Sequence, residues 1–305
     1  MSREITILTP TYNRGTTLQR LYDSLVSQTY QNFIWLVMDD GSTDDTKEII
    51  ERFKQEGKLE IEYHWHENVK KSITTVRGIH KVKTPFVYFV DSDDELPVES
   101  LQILYKTMLP IKDDDKFSAV IGRLQSQHGE VKGTPFPSDP FDSTWFHLVN
   151  RDKVKGPHEG ILKTEAIKKV MPDMEQYVGK GYIYDVWNFY QDAAYITRYI
   201  NDVVYIYHFD ETDTQSLTNT KYSKKNAYGL SETHRHYLEA YSRKYFDKYP
   251  IAILKQLFKY LYFGMNSDEF STKALVKRLP SLRLKILAIM IFPMVFLNNL
   301  LNPLK

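Results

Sequence analysis

No cysteine occurs in the 305 residues, which excludes disulfides, thiolate metal sites and cysteine nucleophiles and permits a reducing compartment. Net charge is nearly absent as well, with 40 lysines and arginines against 39 aspartates and glutamates. Without a basic field, nucleic acid and other polyanions are excluded as bulk partners, and binding has to come from local sites. Met1-Ser2-Arg3-Glu4 leads at once into the alternating stretch Ile5 to Thr9, with no apolar signal-peptide core, so a cytoplasmic protein is expected. No internal repeat or low-complexity linker interrupts the chain.

The length suffices for a full α/β core and a smaller appendage. Up to about residue 110, short β-like runs alternate with helical periodicity. Strands are predicted at Glu4 to Thr9, Phe33 to Met38, Leu59 to His66 and Phe86 to Val90. Helices are predicted at Thr16 to Ser27, Asp44 to Gln55, Ser72 to Lys81 and Val98 to Met108. This interleaving implies crossover connections and a mostly parallel sheet. Residues 34–38 and 86–90 are almost uninterruptedly apolar, as central strands covered on both faces must be. Further on, strands are predicted at Ser118 to Gly122 and Val203 to Tyr207, and helices at Thr164 to Val170 and Asp185 to Arg198. From Lys224 onward the pattern is helical. The 22 tyrosines suit stacking on sugar or base rings, although core packing accounts for most such rings.

In parallel sheets, ligands bind beyond the carboxyl ends of the strands. Three polar loops follow predicted strands there: Pro10-Thr11-Tyr12-Asn13, Asp39-Asp40-Gly41-Ser42-Thr43-Asp44 and Asp91-Ser92-Asp93-Asp94-Glu95. Asp91 and Asp93 occupy alternate positions of an extended segment, so both can lean to one side and clamp a hard divalent ion, Mn2+ or Mg2+. Such an ion neutralises a leaving diphosphate. Asp40 can accept from the imide of a uracil-type base or from a ribose hydroxyl, while Ser42 or Thr43 serves as helix cap. Tyr12 either covers the base or packs in its loop. No glycine-rich phosphate loop follows the first strand, which argues against the rival reading of a metal-dependent nucleotidyltransferase.

Thr9-Pro10-Thr11-Tyr12-Asn13, Met38-Asp39-Asp40-Gly41-Ser42-Thr43-Asp44 and Val90-Asp91-Ser92-Asp93-Asp94 together resemble the motifs of family 2 inverting glycosyltransferases. The resemblance covers roughly the first 110 residues and implies the GT-A fold, an α/β domain that binds a nucleoside-diphosphate sugar. It further implies that Pro10, Tyr12 and Asp40 line the nucleoside pocket, with Asp91 near the ribose and Asp93 on the metal. Asn13, Ser92 and Lys71 complete the expected nucleotide-sugar contacts. Asn68 to Gly78 stands where the family has a glycine-rich stretch, and here carries Lys70, Lys71 and Arg77 instead.

Inverting transfer needs a carboxylate to take the acceptor's proton. The family commonly supplies it from an acidic pair at a helix start, a place that Gly181 to Trp187 resembles, with Tyr184 in the position of the first acid. Asp185 is therefore the expected base, with Glu159 in reserve for that role or for holding the acceptor. His208, at the end of a predicted strand, is a further candidate metal ligand, and Trp145 and Trp187 are candidates for stacking on the acceptor.

The expected organisation is a catalytic domain over 1–222, with a nucleotide-sugar half at 1–110 and an acceptor half at 111–222, followed by a helical region at 223–305. Leu282 to Leu301 is strongly apolar but carries Lys285, Pro293, Asn298 and Asn299, with Pro293 expected to kink or end the helix. That points to a helix attached to the inner membrane face, suited to a saccharide or lipid-linked acceptor, the alternative cover being its own domain or a homodimer. A sugar-binding protein that has lost catalysis is the non-enzymatic rival.

Overall fold

A computed structural model describes residues 3–181, 183–209, 222–302 and 304. The chain divides into two compact units, one formed by residues 1–171 with 194–210 and the other by 172–193 with the residues from 211 on. The expected boundary after residue 222 adjoins residues 210–221, which lie outside the described ones, as does Tyr182. Residues 172–193 group with the C-terminal helices and not with the sheet.

The first unit is built on one eight-stranded sheet of order β3-β2-β1-β4-β7-β5-β8-β6. Its parallel half comprises β1 (Ile5–Thr11), β2 (Phe33–Asp39), β3 (Ile61–Trp65) and β4 (Phe86–Phe89), connected by α1 (Gly15–Val26), α2 (Thr46–Glu56) and α3 (Lys71–Lys81). Every residue of β1 and β2 is buried. Helix α1 buries Leu18, Leu21, Tyr22 and Leu25, the i, i+3, i+4, i+7 stripe of a helix lying on a sheet. Tyr22 stacks on Phe53 of α2 with ring centroids 4.0 Å apart, and Trp35 of β2 closes the cluster. Helix α3 approaches β1 so closely that a Cβ on Gly78 would lie 2.5 Å from a Leu8 methyl, which explains a glycine inside this helix.

After α4 (Ser100–Met108) come β5 (Phe117–Ser126), β6 (Phe141–Ser143), α5 (Trp145–Asn150), β7 (His158–Lys163) and α6 (Thr164–Val170). Strand β7 runs antiparallel between β4 and β5, and β8 (Ile196–Tyr207) runs parallel to β5. The helix expected up to Arg198 is α7 (Trp187–Ala194), which ends earlier because residues from Ile196 on pair with β5 and β6.

In the second unit, α8 (Ala227–Tyr245), α9 (Pro250–Met265), α10 (Thr272–Lys277) and α11 (Leu282–Leu301) follow one another. Ser271 and Ser281 cap α10 and α11, their hydroxyls accepting from the amides of Ala274 and Leu284. Fully buried Glu232 of α8 accepts from Arg235, Tyr177 and Arg278 at 2.9, 3.0 and 2.6 Å. Three donors on one carboxylate make its burial tolerable. Helix α11 runs through Pro293 to Leu301, so this proline does not end it. Only Leu284, Ala288 and Val295 are buried along it, while Leu282, Ile289, Met290, Met294, Leu300 and others are exposed. Among the described residues, α11 is the one helix long and apolar enough to cross a membrane.

Candidate active site

The loops after β1, β2 and β4 meet at the carboxyl edge of the parallel strands, and each is pinned by its neighbours. Asp39, fully buried, accepts from the Ser42 amide at 2.7 Å and from the Tyr63 hydroxyl at 2.6 Å, which folds the turn after β2. Gly41 sits at φ +85°, where a Cβ would lie 2.8 Å from the Asn68 nitrogen, so glycine is required. Asn13, also at positive φ, donates its amide to Ser42 Oγ and accepts from the Thr43 amide through its side-chain oxygen, at 2.9 and 2.8 Å. These bonds join the first two loops and give Asn13 a structural task. Ser42 and Thr43 do not cap α2 as expected. Asp44 holds that start instead, accepting from the amides of Thr46 and Gly15.

Asp40 is buried, and its two carboxylate oxygens accept from the amides of Val69 and Lys70 at 2.7 and 3.0 Å. Burial raises its pKa, although these amide bonds pull the other way. The four lone pairs of the two oxygens leave acceptor capacity for a ligand beside these amides. Lys70 takes φ +80° and ψ 151°, a glycine-like backbone in the stretch where the resemblance leads one to expect glycines. Tyr12, which is exposed, and Pro10, which is buried at the end of β1, flank the same edge.

After β4, the side-chain oxygens of Asp91, Asp93 and Asp94 include one from each residue that lie within 4.8 Å of one another. Asp94 is the buried member. It accepts from the Tyr205 hydroxyl and the His208 amide, both at 2.7 Å, and Tyr205 in turn accepts from the Asp91 amide at 3.1 Å. Burial, then the charges of Asp91 and Asp93, push the Asp94 carboxyl up to about 7. The Asp93 carboxyl is raised by burial and by Asp91, against the pull of Arg14 and Lys71. Three crowded carboxylates form a hard oxygen donor set that a divalent ion fits, because the ion relieves their mutual repulsion.

Two cations already face the cluster. Lys71 Nζ lies 2.7 Å from Asp91 Oδ2, and an Arg14 guanidinium nitrogen 3.6 Å from Asp93 Oδ2. The Ser92 side chain, expected on the nucleotide, is buried, and its carbonyl accepts from Thr17. His208, expected at the metal, instead places its ring nitrogen Nε2 2.9 Å from Glu95 Oε1. Glu159 lies on β7 opposite Gly122, and its charge joins those of Asp91 and Asp94 around the Tyr205 phenol, which burial first of all holds well above its ordinary value. Asp185 belongs to the second unit, just before α7, where its carbonyl accepts from the Asn188 amide. Trp187 is buried, so it packs rather than offering a stacking face, whereas Trp145 is exposed.

The sequence alone assigns no individual role to Arg14, Asp94 or Tyr205. Arg14 adjoins the first motif and Asp94 is the last residue of the third, so position beside the candidate residues is the available signal. Tyr205 has none beyond its strand.

A mostly parallel α/β sheet with an acidic cluster at the end of its fourth strand defines the GT-A glycosyltransferase class. Solved structures agree: S. aureus TarS 1-349 in complex with UDP-GlcNAc superposes with a TM-score of 0.57 at 16% identity, covering 96% of this chain and 86% of that one. The mannosyltransferase PcManGT from Pyrobaculum calidifontis, in complex with GDP-Man and Mn2+, gives 0.53 at 14% identity over 98% and 88%. The glycosyl transferase family 2 model matches residues 6–170, more than half of the chain, and the chain belongs to that family. Among curated relatives, glycosyltransferase GlyA of Streptococcus pneumoniae is 35% identical over 111 residues, 36% of this chain but only 16% of that protein. The GalNAc(5)-diNAcBac-PP-undecaprenol beta-1,3-glucosyltransferase of Campylobacter jejuni is 25% identical over 233 residues, 74% of this chain and 70% of that protein.

Proposed function

We propose that the chain transfers a sugar, with inversion, from a nucleoside-diphosphate sugar, UDP-linked by preference, to a saccharide or lipid-linked acceptor in cell-surface polysaccharide assembly. The observation that carries this reading is the convergence of Asp40 and the Asp91, Asp93 and Asp94 cluster on one sheet edge. Asp40 and Tyr12 receive the nucleoside, and Lys71 the diphosphate. Asp93 and Asp91 would hold Mn2+ or Mg2+, which supplies charge neutralisation for the departing diphosphate. Asp94, engaged by Tyr205 and His208, fixes the loop that presents them. The acceptor hydroxyl oxygen bonds to the anomeric carbon as the bond to the diphosphate oxygen breaks on the opposite face. A carboxylate takes the hydroxyl proton, and Asp185 is assigned that role with Glu159 as the alternative. Transfer assays over a panel of nucleotide sugars and acceptors test the reading, and absence of transfer or donor hydrolysis with every UDP-sugar opposes it.

The same reading places the enzyme peripherally on the inner face of the cell membrane. Exposed apolar residues ring most of α11, and no aspartate or glutamate follows Glu269 in the chain. Lys273, Lys277 and Lys285 remain to meet anionic head groups, each contributing about 1 kcal/mol near such a surface. Bonds from Asn266 to Asn299 and from Tyr262 to the Asn302 carbonyl tie the helix to α9, which favours a docked helix over a spanning one.

A further inference from the structure

We propose that Arg14 and Lys71 are internal counter-ions of the aspartate cluster that pass to the donor's diphosphate, so that the divalent ion and the nucleotide sugar load together. This rests on the glycosyltransferase reading above and adds an order of events to it.

Lys71 Nζ, 2.7 Å from Asp91 Oδ2, makes a charge-assisted hydrogen bond to an oxygen that the metal needs. Arg14, 3.6 Å from Asp93 Oδ2 and with its side chain only 19% exposed, adds a second positive charge on the other ligand. A divalent ion approaching the cluster alone has to displace one cation and settle beside both. The opposing charges therefore weaken metal binding to the empty site.

A diphosphate changes that balance. Lys71 opens α3 and Arg14 directly precedes α1, so both stand on the segments that bring in the nucleotide loops. The guanidinium fork matches phosphate oxygens, and the lysine is a mobile point charge whose side chain is 36% exposed at this position. Once phosphate oxygens take these cations, the aspartate oxygens are released for the metal. By linkage the metal then tightens the nucleotide by the same factor. Lys70, immediately before Lys71, has an exposed side chain and forms no ion pair with the cluster among the described residues, which makes it the matched control.

The test is Mn2+ titration of the full chain, followed by electron paramagnetic resonance of the free ion, with and without UDP. Wild type should bind Mn2+ weakly alone and about tenfold or more tightly with UDP, within the usual range of coupling between two ligands. The Arg14→Gln/Lys71→Met double variant should bind Mn2+ alone about fivefold or more tightly than wild type, with the UDP effect reduced. Lys70→Met should match wild type. If the double variant does not fold, Lys71→Met alone must show the same gain. Unchanged or weaker binding of Mn2+ alone in the variant overturns the hand-over, and so does an equal gain in Lys70→Met. Absence of Mn2+ binding in every state overturns both the hand-over and the metal-dependent reading beneath it.

Discussion

Replacing Lys70 by glycine should stabilise the sheet unit, although glycine is ordinarily a destabilising substitution. At φ +80° and ψ 151°, Lys70 occupies a region that essentially only glycine populates, at a cost of about 1–3 kcal/mol for a residue with a Cβ. Glycine returns about 0.4–1 kcal/mol of that through the greater freedom of the unfolded chain. The net expectation is a gain of roughly 0.5–2 kcal/mol, and each kcal/mol raises Tm by about 2–4 °C for a unit of this size. Lys70→Ala keeps the Cβ and with it the strain, so it should stay within about 0.5 kcal/mol of wild type. Neither change disturbs packing, because the side chain is exposed, and neither removes the amide that donates to Asp40. Urea and thermal unfolding of the three chains without metal reads the difference. In an Asp40→Asn background only one of the Val69 and Lys70 amides retains its acceptor, so the loop relaxes and the glycine gain should shrink. A glycine variant less stable than the alanine variant would refute the reasoning.

Three further outcomes follow from the geometry. With a chelator present, the proton on Asp94 contributes stability that is complete below its ordinary pKa of 3.8 and lost as pH rises through about 7. Unfolding measured between pH 4 and 8 should show that decline, and Asp94→Asn should flatten it. Asp185→Asn should lower kcat by about a hundredfold or more with donor affinity retained. If Glu159→Gln alone has that effect, the base lies on β7. The full chain should float with anionic vesicles while a chain ending at Pro280 stays in solution, and flotation of neither contradicts the membrane assignment.

The parallel half of the fold was legible because β1, β2 and β4 are buried on both faces, the edge strand β3 alternates apolar and polar residues, and the helices are buried on one face, so period and apolarity marked every element from β1 to α4. The loops that follow were legible for the same reason, since the topology sends them to one edge. Strand β7 escaped because Glu159 and Gly160 interrupt a six-residue run, and its partners lie far away in sequence on β4 and β5. The start of β8 escaped because Ile196 and Thr197 continue a helical pattern whose end is set by pairing with β5 and β6. In the site, residue type and position could nominate Asp40, Asp91 and Asp93. The partners that decide what each side chain does come from elsewhere: Arg14 faces Asp93, Tyr205 is shared by Asp91 and Asp94, and Glu95 draws in the His208 ring.

The central claim is a nucleotide-sugar site at this sheet edge in which Asp93 anchors a divalent ion. Its most direct measurement is UDP binding by calorimetry to wild type and to Asp93→Asn, each with Mn2+ and with a chelator. Wild type should bind UDP about tenfold or more tightly with Mn2+ than with chelator, while Asp93→Asn should remain folded and show no such difference. Equal Mn2+ enhancement in both proteins, or none in wild type, would contradict the account.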